Sequence, residues 1–301
     1  MNKTIKYKIK EKALLFMSFL LVAVLVISSC ATDDTQTVAE FTELVWQDEF
    51  DTEGAPNPAI WGYEIGDGSD TQAGSGWGNG ELQYYTSRTE NATVENGVLL
   101  ITALQEDYNG ASYTSAKLST KGLFEQTYGR FEARIRVPGG SGLWPAFWML
   151  GADCGDVLWP QCGEIDIMEY RRQEPTQVSG SVHGPGYSGL TIPQGHITKS
   201  YELVNDRYDA GFHIFGIEWG PEYINYYVDD VLYNQITPED LEITPDDDDT
   251  GALGEWVFNK PFYIIINLAV GGAFPGSPDS EETFPQSMLV DYVRVYKSSN
   301  N

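Results

Sequence analysis

The chain has 301 residues, 13% of them aromatic, with 31 Gly and a formal net charge of −26 from 18 Lys and Arg against 44 Asp and Glu. That acidity repels nucleic acid and anionic lipid and argues against strongly sulfated or uronic substrates, so a neutral partner fits best. Few long Leu/Ala/Glu/Lys stretches occur, which disfavours a helical bundle, and the length suits one large β-domain.

Five Lys stand at positions 3, 6, 8, 10 and 12, followed by an apolar run over residues 13–27 and then Ser28, Ser29 and Cys30. A basic start, a short apolar run and small residues before a cut predict an export signal over residues 1–29; a membrane span would need about 20 apolar residues. Ile27-Ser28-Ser29-Cys30 resembles the lipobox of bacterial lipoproteins. The resemblance implies that Cys30 carries lipid at the start of the mature chain, with free secretion after a cut near Ser29 or Ala31 as the alternative. Residues 30–39 then form a polar tether and residues 40–298 a single domain. The expected location is the outer membrane or cell surface, otherwise the periplasm or medium, with membrane contact only through the anchor. Loss of residues 1–29 removes five Lys and one Glu, leaving 13 bases and 43 acids, a net −30.

Beyond the tether, apolar or alternating runs at 44–50, 98–104, 129–137, 146–150, 164–170, 177–183, 213–219, 223–228, 262–270 and 289–296 read as strands separated by Gly, Asn, Asp and Pro clusters. Many short strands with turn signals imply an all-β sandwich. Phe131, Ala133, Ile135 and Val137 alternate with Arg130, Glu132, Arg134 and Arg136, giving one core face and one polar face. Val228-Asp229-Asp230-Val231 reads as a hairpin turn between Tyr-rich strands. Residues 240–254, with four consecutive Asp, read as an exposed loop.

Residues 163–170 read Gly-Glu-Ile-Asp-Ile-Met-Glu-Tyr, which sets Glu164, Asp166 and Glu169 inside an apolar β-forming run. Side chains alternate along a strand, so a regular strand puts Glu164 and Asp166 on one face and Glu169 on the other. One extra residue, a β-bulge at Ile167 or Met168, restores parity and gathers all three. Two carboxyls flanking a sugar bond are what a glycosidase requires, about 5–5.5 Å apart for retention and 6.5–9.5 Å for inversion. The strand spacing permits the retaining distance.

Trp144, Trp148 and Trp159 precede this strand in sequence, and Trp faces stack on pyranose rings; Trp148, in the densest apolar run, has core packing as its competing role. The stretch 76–85 mixes Gly with amides and aromatics, a binding-loop composition in which Trp77, Asn79 and Gln83 are candidate sugar contacts. His183 ends the following strand and would lie near Glu169, where it could hydrogen-bond a catalytic acid or substrate. Cys154 and Cys162 bracket the loop before the acidic strand and either form a disulfide or stay as two buried thiols.

Taken together, Trp46 to Phe50, Gly76 to Thr86, Tyr128 to Ala133, Trp144 to Leu150, Trp159 to Tyr170, Val182 to Ser188, Phe215 to Trp219, Asn267 to Gly272 and Val290 to Tyr296 resemble glycoside hydrolase family 16, bacterial endo-β-1,3-glucanase (laminarinase) type. The resemblance spans nearly all of residues 44–296. It implies a single-domain β-jelly-roll sandwich of two curved antiparallel sheets, concanavalin-like, with the acidic strand on the concave face. It also implies retaining cleavage of internal β-1,3-glucosidic bonds, with Glu164 as nucleophile, Glu169 as acid/base and Asp166 tuning both; a monomer is expected. A mixed-linkage β-glucanase, an agarase-like hydrolase or a non-catalytic surface glycan-binding lipoprotein are the alternatives. No cofactor is implied for catalysis. A structural Ca2+ on the convex side is implied, with Glu49, the Gly97 carbonyl and Asp291 as ligands. Phe274 departs from the pattern, since laminarinases commonly carry Asn-Trp at residues 273–274.

Overall fold

Alternation along residues 129–136 produces the expected strand, in which Phe131, Ala133 and Ile135 are fully buried while Arg130 and Arg134 on the other face reach acidic partners. This computed structural model describes residues 40–188, 197–241 and 254–298. The export signal, Cys30, the tether and residues 242–253 of the acidic loop lie outside the described residues.

In chain order the strands are β1 (Phe41–Asp48), β2 (Gly62–Tyr63), β3 (Gln83–Tyr85), β4 (Ala92–Glu95), β5 (Val98–Tyr108), β6 (Ala111–Ser115), β7 (Lys117–Ser119), β8 (Gly129–Arg136) and β9 (Leu143–Gly151). They continue as β10 (Glu164–Glu169), β11 (Gln177–His183), β12 (Ile197–Glu202), β13 (His213–Gly220), β14 (Tyr223–Val228), β15 (Val231–Ile236), β16 (Phe262–Val270) and β17 (Gln286–Ser298). One sheet runs β15-β14-β13-β8-β17-β5-β6-β3, with β1 on β17 and β4 on β5; the other runs β12-β11-β10-β9-β16-β7-β2. β10 lies over β13, and β16 over β5 and β6, so the two sheets form a β-jelly-roll sandwich. Pairing is antiparallel except between β3 and β6, which run parallel.

A single core fills the space between the sheets, from Phe131, Ile217 and Val293 on one side to Phe147, Ile165 and Ile266 on the other. Each such side chain contributes roughly 1.5–3 kcal/mol by leaving water, which holds the smaller sheet firmly enough to present its other face to solvent. The hairpin at Asp229 and Asp230 has both residues at positive φ, 48° and 61°, the conformation that matches the twist of β14 and β15. Cys154 and Cys162 form a disulfide across the β9–β10 loop.

Candidate active site

The acidic strand is β10, flanked by β11 and β9 inside the smaller sheet, and its register contains the extra residue that parity demands. On β11, Asp166 faces Ser181 and Glu169 faces Ser179, so Ile167 and Met168 together oppose the single residue Gly180. On β9 the shift falls in the same place, between Asp166 opposite Trp148 and Met168 opposite Phe147. Ile165, Ile167 and Met168 all enter the core. Gly180 has no room for a side chain: a Cβ there would come 2.5 Å from the Tyr226 ring and from the Tyr233 hydroxyl of the facing sheet. The Tyr226 hydroxyl donates to the Ser181 carbonyl at 2.7 Å, anchoring the strand beside the bulge.

Glu164, Asp166 and Glu169 therefore share the open face of the smaller sheet. Glu164 and Glu169 are partly exposed, whereas Asp166 is 4% exposed, so the two glutamates reach an incoming molecule and the aspartate lies beneath them. His183 comes up from β11 opposite Glu164 rather than near Glu169 as expected, because the antiparallel register pairs Glu169 with Ser179; its Nε2 is 3.1 Å from Asp166 Oδ2 and 3.9 Å from Glu164 Oε1. The Trp159 indole donates to Glu164 Oε2 at 2.9 Å, and the Trp144 indole donates to Glu169 Oε1 at 3.0 Å.

Burial pushes all three carboxyls above their ordinary values. For Glu164 the His183 charge pulls the other way; for Asp166 the Glu164 charge adds to burial, and for Glu169 the Asp166 charge does so. Burial opposes the charged form of His183, but the close contact with Asp166 at 3.1 Å and the charges of Glu164, Asp166 and Glu169 outweigh it and push the imidazole up to about 10. The site thus holds one fixed cation, near Glu164 and Asp166, and a carboxyl at the far end that stays protonated most readily. Such a set can supply one ionised carboxylate and one proton donor on the same face. Donor atoms of Glu164, Asp166 and His183 lie within 4.8 Å of one another, so the imidazole is a close counter-charge to both carboxyls.

The tryptophans predicted from sequence gather on this face. Trp144 and Trp148 lie on the same side of β9 as the acids, and Trp159 stands over His183 with ring centres 6.1 Å apart. Trp148 is half-buried and tied down: its indole donates to Asn267 Oδ1 at 2.7 Å, and Lys117 Nζ lies 4.9 Å from its ring centre. Lys117 Nζ also sits 4.2 Å from the Trp77 ring centre and 2.8 Å from Glu64 Oε2. Asn79 is exposed and reaches Glu81 Oε1 at 3.2 Å.

Gln83 differs from its expected role as a sugar contact. It is buried, its Nε2 donates to Glu81 Oε2 at 2.7 Å, and its Oε1 accepts from the Val270 amide at 2.7 Å, so one end ties β3 to β16 and the other holds Glu81. Sequence reading missed Glu81, whose carboxyl is raised by burial and accepts from Asn79, Gln83 and Tyr85. It also missed Lys117 and Asn267. For Asn267 the available signal was a lone polar residue in an apolar run; Glu81 and Lys117 stand among polar and Gly neighbours and carry no such mark.

The expected calcium ligands do not fit a cation as arranged. Both oxygens of Glu49 accept from Arg294, at 2.7 and 2.9 Å, and Asp291 Oδ2 accepts from Arg134 at 2.6 Å. Each carboxylate already faces a guanidinium, which would repel Ca2+, and the third ligand would be the carbonyl of Gly97 in the β4–β5 turn.

Residues 79–285 match the model of the family described as glycosyl hydrolases family 16. The chain is 44% identical over 292 residues to a beta-glucanase of Rhodothermus marinus, covering 96% of each. It is 37% identical over 267 residues to glucan endo-1,3-beta-glucosidase A1 of Niallia circulans, covering 84% of this chain and 38% of that longer protein. Among solved structures, the catalytic domain of an endo-1,3-beta-glucanase (laminarinase) from Thermotoga petrophila superposes with a TM-score of 0.78 at 44% identity, covering 87% of this chain and all of that one.

Proposed function

This chain belongs to glycosyl hydrolases family 16 and is a glycoside hydrolase, and we propose that it cleaves internal β-1,3-glucosidic bonds of laminarin-like glucans with net retention. The observation that carries this reading is the bulge at Ile167 and Met168, which brings two partly exposed glutamates to one face with a buried aspartate between them.

In the first step the Glu164 carboxylate forms a bond to C1 of the sugar while the C1–O glycosidic bond breaks, and Glu169 gives its proton to the departing oxygen. In the second, a water attacks C1, the Glu169 carboxylate takes the water's proton, and the bond from C1 to Glu164 breaks. Two inversions leave the configuration unchanged. The surrounding charge supports this division of roles: His183 stands 3.9 Å from Glu164, favouring its ionised form, whereas the Asp166 charge favours a proton on Glu169. Asp166 is enclosed between the two glutamates, its Oδ2 3.1 Å from His183 Nε2. The half-buried Trp144, Trp148, Trp159 and Trp77 are suited to apolar sugar faces.

Glu164→Gln is expected to stop release of reducing sugar from laminarin while retaining binding; undiminished turnover sinks the assignment. Comparing laminarin with lichenan and agarose separates the β-1,3-glucanase from the mixed-linkage and agarase-like alternatives. We further read residues 1–29 as an export signal and Cys30 as a lipid attachment site, supported by the Lys-rich start, the apolar run and the Ser-Ser-Cys sequence. Incorporation of labelled palmitate that disappears in Cys30→Ser checks this. A monomer is expected by light scattering.

A further inference from the structure

Phe274, the departure from the laminarinase pattern, lies in the segment after β16, with its ring centre 5.2 Å from that of Trp144. Trp144 also packs on Gly272, which sits at φ 102° and where a Cβ would come 3.3 Å from the indole and 3.3 Å from the Asn79 carbonyl. The indole is thereby confined by bare backbone and an aromatic ring, with its N–H on Glu169 at 3.0 Å. Phe274 is itself pinned. Arg171, two residues past the end of β10, places its guanidinium carbon 4.7 Å from the Phe274 ring centre and donates through Nη1 to the Phe274 carbonyl at 3.2 Å. Glu174 fixes that guanidinium through Nε at 2.9 Å and Nη2 at 2.8 Å, and Gln173 Nε2 donates to the neighbouring Pro275 carbonyl.

We propose that Phe274, held by Arg171, is a positioning residue for Glu169 that acts through Trp144, keeping the indole N–H on the carboxyl while it loses and regains its proton. The proposal rests on the reading of Glu169 as acid/base. An N–H donor bonds a carboxylate more strongly than a neutral carboxyl, so this contact eases proton release in the first step and holds the oxygen in place for the second. Among the described residues it is the one hydrogen bond favouring the charged form of Glu169, set against burial and the charge of Asp166. The other titratable groups facing Glu169 are Glu164 on the same strand, His183 on β11 and, from the facing sheet, Tyr226 of β14 and Tyr233 of β15. Substitution at Phe274 leaves all of these unchanged, so a change in Glu169 titration reports on the indole.

The test is the pH profile of kcat/KM on laminari-oligosaccharides for wild type, Phe274→Ala, Phe274→Trp, Arg171→Met and Trp144→Phe. Free-enzyme Glu169 must be protonated to act, so its titration sets the alkaline limb. Loss of the indole contact raises that pKa and moves the limb to higher pH. Trp144→Phe and Phe274→Ala are expected to move it up by about half to one unit, with kcat down about tenfold and KM within about twofold. Arg171→Met should move it the same way by less, and Phe274→Trp should keep the wild-type limb because a ring remains against Trp144. An unchanged limb in Phe274→Ala, when Trp144→Phe moves it, overturns the proposal. So does a rise in KM alone, the mark of a simple sugar platform. Melting temperature confirms that each variant folds, and Phe274→Leu substitutes if the Ala variant does not. Azide rescue of Glu169→Ala on a substrate with a good aryl leaving group tests the acid/base reading separately. Absence of rescue removes that reading whatever the Phe274 variants do.

Discussion

Glu164 and Glu169 open and close the same strand, and each accepts one indole N–H, at 2.9 Å from Trp159 and at 3.0 Å from Trp144. Their surroundings otherwise differ. At the Glu164 end a protonated His183 lies 3.9 Å away, and the main chain of Trp159 is clasped by Gln72, which accepts from its N–H at 3.1 Å and donates to its carbonyl at 3.0 Å. At the Glu169 end the indole is held by Phe274 and Arg171, and the strongest charge acting on the carboxyl is that of Asp166. Two glutamates with similar hydrogen bonds are thus separated in function by where one cation sits, and pairs of titratable groups pushed apart in this way are what acid/base chemistry needs.

The sharpest break of this comparison is to remove each glutamate in turn. Glu164→Ala should lower kcat/KM on the order of 10,000-fold or more for any leaving group, because no covalent intermediate can form. Glu169→Ala should lose about 100- to 10,000-fold on laminarin but far less on a substrate with an activated aryl leaving group, which needs no proton. Equal losses with both substrates would erase the distinction between the two ends.

His183→Asn removes the cation itself. Turnover is expected to fall about 10- to 100-fold, and the acid limb of kcat/KM should move to higher pH because Glu164 loses the charge that favours its ionisation. The alkaline limb should follow by less, since Glu169 also loses that charge. A fixed acid limb would show that His183 does not govern Glu164.

Gln72→Ala should cost about two- to fivefold, mostly in kcat, since two exposed hydrogen bonds are lost at one remove from the carboxylate. Combined with Trp159→Phe the losses should not add, because both act on the same contact to Glu164; full additivity would separate Gln72 from the nucleophile.

The last effect is on stability. A carboxyl whose folded pKa is raised opposes folding once pH exceeds its unfolded value, here near 4.5, since the buried group then loses its proton against resistance. Glu169→Gln should therefore melt about 3 °C higher than wild type at pH 8, with the gain fading as pH falls towards 4.5. A gain independent of pH would point to packing instead.

Much of the fold was legible because it rests on local period. The runs at 177–183, 223–228 and 262–270 coincide with β11, β14 and β16, where side chains alternate or are wholly apolar. The strands that escaped are short or polar, such as β2, β3, β7 and β12, and gain their identity from a neighbour rather than from pattern. Gln83 looked like a sugar contact because an amide in a Gly-rich stretch has no local feature that says it is buried. Glu49 and Asp291 suggested a metal for a related reason: nothing near either residue announces Arg294 or Arg134 as its partner, and Arg134 lies 157 residues from Asp291.

The sequence by itself determined the sandwich, the three acids and the bulge, since side-chain parity along a strand leaves no other way to bring Glu169 to the face of Glu164. Tertiary structure alone decided which loops hold the two indoles. Gln72 is 87 residues from Trp159 and Arg171 is 103 from Phe274. Such contacts depend on how loops close over a finished sheet, and no local period encodes that.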